Sequence, residues 1–324
     1  IEIPPGGVRD LGFVLATAGT DEETRALLGR FGNVEAFDTS LAAAKGRWTG
    51  LLAAHRVETP DATFDAFLND WVRYQAISAR IQGRCGYYQQ SGAYGFRDQL
   101  QDSQVWLTVD AARCREQIAL HAAHQFADGS VYHWWHPLSE MGHVTKMTDD
   151  LLWLAFVTAA YVRETGDVSI LADRAPFLDD PQPAPLVEHV LRAFERAFRR
   201  TSPRGLPYIG AGDWNDGLSA AGLEEKGESV WLAHFLAGLL GEWSELFGRT
   251  GEPARAADFA KRRETLVGAI NEHCWDGGWY WRATLDSGDK IGSHGNERGK
   301  IYLNAQTWAI LSDVAGPHPT AVQR

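Results

Sequence analysis

Two carboxylates, an amide and an indole ring lie together in a glycine-punctuated segment, residues 205–217, which reads GLPYIGAGDWNDG. Breaking a glycosidic bond needs an acid beside the leaving oxygen, and the C–H-rich faces of a pyranose ring pack well against an indole. Asp213, Trp214, Asn215 and Asp216 supply these group types. The segment therefore predicts a sugar-processing site, although Asp-x-x-Asp-Gly is also typical of a structural turn with an Asx cap.

A second loop with candidate functional residues covers residues 84–102. Its glycines permit close approach of the backbone, and Arg84, Arg97 and Asp98 are its charged candidates. The alternative is a structural loop in which Arg97 pairs internally with an aspartate.

Two further loops carry polar candidates. Residues 133–137 read HWWHP, with two histidines three positions apart. A third metal ligand is not evident, so we predict no metal site, and binding of hydroxyls or an anion is the better interpretation. Residues 295–306 precede a helical stretch and contain Glu297 and Gln306.

The elements that must position these loops are helices. Apolar residues recur at helical spacing along most of the chain, and loops rich in Gly, Pro, Trp and His alternate with them. This rhythm predicts an all-α fold of helical hairpins, an α/α barrel whose loops gather at one end. We expect Thr148 to be a helix N-cap and Gly166 to end that helix. The predicted helices include residues 34–54, 109–123, 148–164, 185–199, 230–247 and 253–273.

Composition restricts the class of protein. With 324 residues, 44% of them hydrophobic, the chain can bury a large core. A net charge of -11 without a dense basic cluster argues against a nucleic acid or an anionic membrane surface as partner. Three widely spaced cysteines suggest neither a disulfide framework nor a zinc site and fit the reducing cytoplasm, and no apolar run is long enough to cross a bilayer.

Five motifs, taken together and in order, resemble those of the glycoside hydrolase family 94 phosphorylases. This group includes cellobiose, cellodextrin, chitobiose and laminaribiose phosphorylases and the phosphorylase-like region of cyclic β-1,2-glucan synthases. The resemblance spans nearly the whole chain, and its motifs are GAYGFRDQLQD (residues 92–102), HWWHP (133–137), DDLLW (149–153), GDWNDG (212–217) and KIYLNAQTW (300–308).

The resemblance implies a domain organisation. Residues 1–18 would be the tail of an N-terminal β-sandwich, residues 19–57 a helical linker, and residues 58–324 an (α/α)6 catalytic barrel that is incomplete at its C-terminal end. We expect the chain to be a fragment for this reason. Family members often form homodimers, which leaves a homodimer open here.

The implied reaction is phosphorolysis of a β-linked gluco-oligosaccharide with inversion, which gives an α-sugar 1-phosphate. Inorganic phosphate is a co-substrate, and no cofactor is expected. Because phosphate replaces water as nucleophile, the enzyme needs one catalytic carboxyl, a general acid. The match to the motif assigns this acid to Asp216 and a wall of the sugar subsite to Trp214, whereas Asp213 is expected to be a structural cap.

The resemblance also suggests binding residues. Asp98 matches a carboxylate that holds hydroxyls of the glucosyl unit in the cleaved subsite, and its neighbour Arg97 is assigned to substrate binding with it. Arg84 matches a phosphate-binding arginine, since a guanidinium can hold phosphate in a bidentate fork. Glu297 and Gln306 are carried over as substrate contacts.

Two other functions stay open at this point. An inverting hydrolase on the same barrel would need a second carboxylate about 6.5–9.5 Å from the acid as base, and Asp98, Asp150 and Glu297 are candidates for it. A non-catalytic sugar-binding fragment is the other. The linkage, the choice between glucose and N-acetylglucosamine and the length of the acceptor are not specified by the sequence.

Overall fold

A computed structural model of the chain describes residues 2–83 and 92–316 and shows a mostly helical protein. The predicted predominance of helices is confirmed, while their arrangement as an (α/α)6 barrel stays a prediction. The backbone forms two compact units, residues 1–74 and residues 75–324. The domain boundaries expected after residues 18 and 57 also stay predictions.

The first unit begins with an irregular segment. Residues 2–18, the described part of the expected sandwich tail, form neither a helix nor a strand, and no described strand pairs with them. Thr20 then caps the first helix in a reciprocal capping box with Glu23. The helices that begin in this unit are α1 (Asp21–Phe31), α2 (Val34–Leu52), α3 (Ala62–Ala66) and α4 (Val72–Gln75), with a π-helical turn at Phe67–Trp71.

The helices of the second unit are α5 (Phe96–Ser103), α6 (Ala111–Ala122), α7 (Leu152–Thr165), α8 (Leu186–Arg199), α9 (Val230–Arg249), α10 (Pro253–His273) and α11 (Leu303–Leu311), besides a π-helix at Ala76–Gln82 and 3-10 turns at Gln104–Thr108, Val168–Ala172 and Asp216–Leu218. The core of this unit forms around α7 and α9, which are buried on nearly every side. Helix α7 packs against α5, α6, α8 and α9, and α9 also packs against α10 and α11. Helices that are apolar all round belong in the interior.

Within residues 2–83 and 92–316, three small antiparallel sheets connect the helices. The first matters for the site, because its edge strand leads directly into α5. Its strands are β1 (Tyr94–Gly95), β2 (Trp134–His136) and β3 (Met141–His143), in that spatial order. The other two sheets pair β4 (Arg174–Phe177) with β5 (Asp180–Pro185), and β6 (Ala283–Thr284) with β7 (Lys290–Ile291).

Helix ends show where the local sequence rules held. The prediction of residues 253–273 is confirmed by α10, and Gly166 ends α7 with φ +72°, as its lack of a side chain allows. The prediction of Thr148 as an N-cap is wrong. Helix α7 begins at Leu152, and the Thr148 hydroxyl is directed towards the carbonyls of Ile209 and Gly212, to which it donates. Within the described residues, no helix combines the length and apolarity that crossing a bilayer requires.

Candidate active site

The loop from residue 205 to 217 is held against the segment before α7 by two glycines. Gly210 has a φ of +57°, and a Cβ atom there would lie 2.3 Å from the Lys146 carbonyl oxygen. Gly212 has a φ of +137°, and a Cβ atom there would lie 2.8 Å from the Met147 sulfur. Only glycine fits both the conformation and the space. This close approach lets the Thr148 amide donate to the Gly212 carbonyl, which fixes the loop beside residues 149 and 150.

Asp213 anchors the loop from inside the protein. Its side chain is fully buried, and it accepts hydrogen bonds from the Asn215 amide at 2.9 Å, Ser229 Oγ at 2.5 Å and Arg282 Nη2 at 2.5 Å. Ser229 in turn caps α9 by accepting from the Leu232 amide. Asp213 is therefore structural, in agreement with its expected role, and its contacts reach well beyond its own turn.

Arg97 is the centre of the site. Its Nη2 donates to Asp216 Oδ1 at 2.8 Å, and its Nη1 donates to the Asp213 carbonyl at 3.1 Å and lies 3.4 Å from Asp149 Oδ2. Burial opposes its charge, but the nearby carboxylates outweigh this and raise the pKa of Arg97 above its ordinary value. We call Arg97, Asp149, Asp213 and Asp216 the Arg97 cluster.

Two consecutive buried aspartates, Asp149 and Asp150, lie close enough to Arg97 to act on its charge. Burial raises the pKa of Asp149 to about 7, even though Arg97 and the Trp153 indole stabilise its ionised form. Asp150 Oδ2 lies 2.8 Å from His133 Nδ1. Burial lowers the pKa of His133, but the hydrogen bond and the charge of Asp150 raise it by more, so the net shift is upward. Asp150 is thus held by His133 and is almost fully buried.

Asp216 stands out from the cluster because it is accessible. Its side chain is 65% exposed, against 0% for Asp149. Arg97 holds Oδ1, and Oδ2 has no hydrogen-bond partner among the described residues. One oxygen of this carboxyl is therefore oriented by the protein, and the other is available to a ligand.

Asp98 lies next to the cluster over the end of β1. Its carboxylate Oδ1 is 3.9 Å from Arg97 Nε and 3.8 Å from Arg80 Nη2, and its side chain is 18% exposed. A Cβ atom at Gly95 would lie 2.6 Å from Asp98 Oδ2, so the glycine leaves the space that the carboxylate fills.

An indole wall completes this surface. Trp214 is 36% exposed, stacks on the buried Trp231 with ring centroids 5.6 Å apart, and donates its Nε1–H to Gln101 Oε1 at 3.1 Å. Trp153 and Trp308 each lie 6.5 Å from the Trp214 ring. An exposed indole fixed from behind by other rings presents a rigid apolar surface at low entropic cost.

Of the remaining predicted residues, Gln306 and Glu297 are not brought into this cluster. Gln306 uses its amide on the backbone of Tyr280, accepting at 3.0 Å and donating at 2.7 Å, which is a structural use. Glu297 is exposed, and it makes no hydrogen bond to the described residues of the Arg97 cluster. Arg84 lies outside the described residues. The substrate and phosphate roles assigned to these three residues stay predictions.

Arg282 is the main residue that sequence reasoning missed. Its side chain is fully buried and pairs with Asp213 across 69 positions. The signal was an arginine inside the apolar run WYWRA, residues 279–283, where a charge must find a buried partner. Within the part of the chain that the structure describes, no three His, Cys, Asp or Glu side chains are grouped to hold a metal ion.

Comparison with known families agrees with these motifs. Residues 47–322 match the family model described as glycosyl hydrolase 94 superfamily, catalytic domain, and the chain belongs to this family.

Individual relatives are longer than this chain. It is 37% identical, over 96% of its length, to cyclic β-(1,2)-glucan synthase NdvB of Rhizobium meliloti (strain 1021), of which it covers 12%. It is 34% identical, over 91% of its length, to solabiose phosphorylase of Paenibacillus borealis, and 29% identical, over 98% of its length, to cellobionic acid phosphorylase of Neurospora crassa. It covers 36% and 40% of these two proteins, so it spans well under half the length of the curated relatives it matches.

Solved structures show the same fold in other proteins. A GH78 family rhamnosidase of Bacillus sp. GL1 superposes with a TM-score of 0.60 over 82% of this chain and 26% of its own, at 17% identity. A rhamnosidase from Klebsiella oxytoca superposes with a TM-score of 0.57 over 82% of this chain and 47% of its own, at 16% identity. At these identities the likeness concerns the fold alone.

Proposed function

We propose that the protein is an inverting glycoside phosphorylase that cleaves a β-linked gluco-oligosaccharide with inorganic phosphate. The observation that carries the proposal is the 2.8 Å contact between Arg97 Nη2 and Asp216 Oδ1, which joins two family motifs across 119 positions. The names of two relatives, solabiose phosphorylase and cellobionic acid phosphorylase, support phosphorolysis as the reaction class.

The geometry suggests a division of labour. A phosphate oxygen attacks the anomeric carbon, the glycosidic C–O bond breaks, and the leaving oxygen takes its proton from Asp216 Oδ2, which gives an α-sugar 1-phosphate and a free hydroxyl on the acceptor. Arg97 fixes the orientation of the carboxyl through Oδ1. Negative charge on the bound phosphate favours the protonated form of a neighbouring carboxyl, which an acid requires. The proposal includes Arg84 as a phosphate ligand and an (α/α)6 arrangement for residues 58–324.

The deciding experiment is a test of phosphate dependence. The protein is incubated with β-1,2-, β-1,3- and β-1,4-linked glucose disaccharides and oligosaccharides, with and without inorganic phosphate. Sugar 1-phosphate is assayed enzymatically, and its anomeric configuration is read by NMR. We expect an α-1-phosphate that forms only with phosphate. Release of free sugar without phosphate would instead show a hydrolase, and sugar binding without turnover a binding protein.

Gly95→Ala tests whether the position of the Asp98 carboxylate matters for substrate binding. The added Cβ atom would lie 2.6 Å from Asp98 Oδ2 and 3.2 Å from Asp98 Cγ, so the carboxylate must move. A hydrogen bond to a charged group contributes about 1.5–3 kcal/mol, and we therefore expect kcat/KM for phosphorolysis to fall ~10- to 100-fold. The backbone φ at Gly95 is -87°, which alanine accepts, so thermal unfolding should change little. Unchanged kinetics would remove Asp98 from substrate binding.

A matched control for this substitution is Gly248→Ala. Gly248 lies within α9, and a Cβ atom there meets no heavy atom within 4 Å. We expect this variant to keep the wild-type kcat/KM.

A further inference from the structure

One face of the β1–β3 sheet is open and aromatic. The side chain of Trp135 projects from the opposite face of the sheet, where it is fully buried and stacks on His124 with ring centroids 4.1 Å apart. Trp134 points the opposite way and is 37% exposed. The rings of His136 and His143 flank it, with centroids at 5.4 and 5.6 Å. We call Trp134, His136 and His143 the Trp134 face.

The strand register makes this face continuous with Asp98. Gly95 of β1 lies opposite Trp134 of β2, which lies opposite His143 of β3. Side chains of directly opposed residues project to the same face, with Cβ atoms about 4.5–5.5 Å apart. At Gly95 that direction is occupied by the Asp98 carboxylate, 2.6 Å from the position of the missing Cβ atom. Asp98 and the Trp134 ring therefore border each other on one side of the sheet.

The combination of groups has a definite chemical preference. An accessible indole packs against the C–H face of a pyranose, while imidazole nitrogens and a carboxylate exchange hydrogen bonds with hydroxyls. The core does not need Trp134, because Trp135 already fills the buried side of the same strand.

We propose that the Trp134 face binds a second sugar unit of the oligosaccharide, next to the unit that Asp98 contacts. Trp134 stacks on the ring, and the two histidines hydrogen-bond to its hydroxyls. The class of ligand rests on the proposed function, whereas the place of the subsite rests on the register of the sheet. The proposal makes Trp134 a determinant of the preferred chain length.

Trp134→Ala tests this subsite by binding, in phosphate-free buffer so that phosphorolysis cannot occur. Titration calorimetry compares glucose with β-linked glucose di-, tri- and tetrasaccharides on the wild type and the variant. We expect affinity for the oligosaccharides, which occupy both positions, to fall on the order of tenfold, and affinity for glucose, which needs only the position at Asp98, to change less. Trp134→Phe keeps a smaller ring and should lie between the two. Leu138→Ala, which truncates a fully exposed side chain between β2 and β3, is the matched control and should bind like the wild type.

The outcomes separate this subsite from the proposed function. Affinities that do not depend on Trp134, or that fall equally for glucose and for the oligosaccharides, would overturn the subsite, and so would a wild type that binds none of these sugars. Length-dependent loss without any phosphate-dependent cleavage would support the subsite and overturn the phosphorylase. If Trp134→Ala proves too unstable to titrate, Trp134→Phe against Leu138→Ala decides by the same criterion.

Discussion

Asp216→Asn is expected to lower kcat/KM for phosphorolysis by about 10²- to 10⁴-fold, because the amide cannot give a proton to the leaving oxygen. The fold should survive, since this side chain is 65% exposed and an asparagine oxygen can still accept the hydrogen bond from Arg97. Steady-state release of sugar 1-phosphate and a thermal unfolding curve measure the two effects.

Comparing substrates with different leaving groups distinguishes a role of Asp216 in acid catalysis from a role in substrate positioning. An aryl β-glucoside whose phenolate leaves without protonation should lose far less activity in Asp216→Asn than an oligosaccharide does. Glu224→Gln is a suitable control, because Glu224 is an exposed carboxylate in the segment after the loop and pairs with Lys226. Near-wild-type turnover of the oligosaccharide by Asp216→Asn would show that another group is the acid.

Arg282→Met is expected to destabilise the protein by about 3–5 kcal/mol, because it leaves the buried Asp213 carboxylate without its ion partner. Both side chains of this pair are fully buried. Equilibrium urea unfolding gives the free-energy difference. Activity should also fall, since Asp213 holds the loop that carries Asp216.

The double variant Asp213→Asn/Arg282→Met makes this prediction sharper. With both charges removed, no buried ion is left unpaired, and the loss of stability should be smaller than in Arg282→Met alone. Lys226→Met removes an exposed ion pair with Glu224 and should unfold like the wild type. If Arg282→Met is as stable as this control, Arg282 does not anchor the loop.

Local patterns predicted the helices well where the determinants are local. The bounds of α10 follow from Pro253 at its first turn, and the end of α7 follows from Gly166. The same reasoning failed at Thr148, whose hydroxyl is directed away from the helix by the carbonyls 61 and 64 positions away that accept its hydrogen bonds. A cap is decided by local groups only when no tertiary partner is available.

The candidate site was recognised through its motifs, but the bonds that build it were not. The sequence indicated Asp98, Trp214 and Asp216 without showing that Arg97 connects two loops. It placed His133 in hydroxyl or anion binding without indicating that His133 Nδ1 lies 2.8 Å from Asp150 Oδ2. Arg282 and Ser229 reach Asp213 across 69 and 16 positions, and spacing along one chain does not encode such contacts.

Ser229 links movement of the loop at residues 205–217 to the stability of helix α9. The same hydroxyl donates to Asp213 and accepts from the Leu232 amide in the first turn of α9. A shift of the loop that breaks the bond between Asp213 and Ser229 would therefore also disturb the cap of α9. We expect Asp216 to adjust to a substrate mainly by rotation of its own side chain, or of the short turn at Asp216–Leu218.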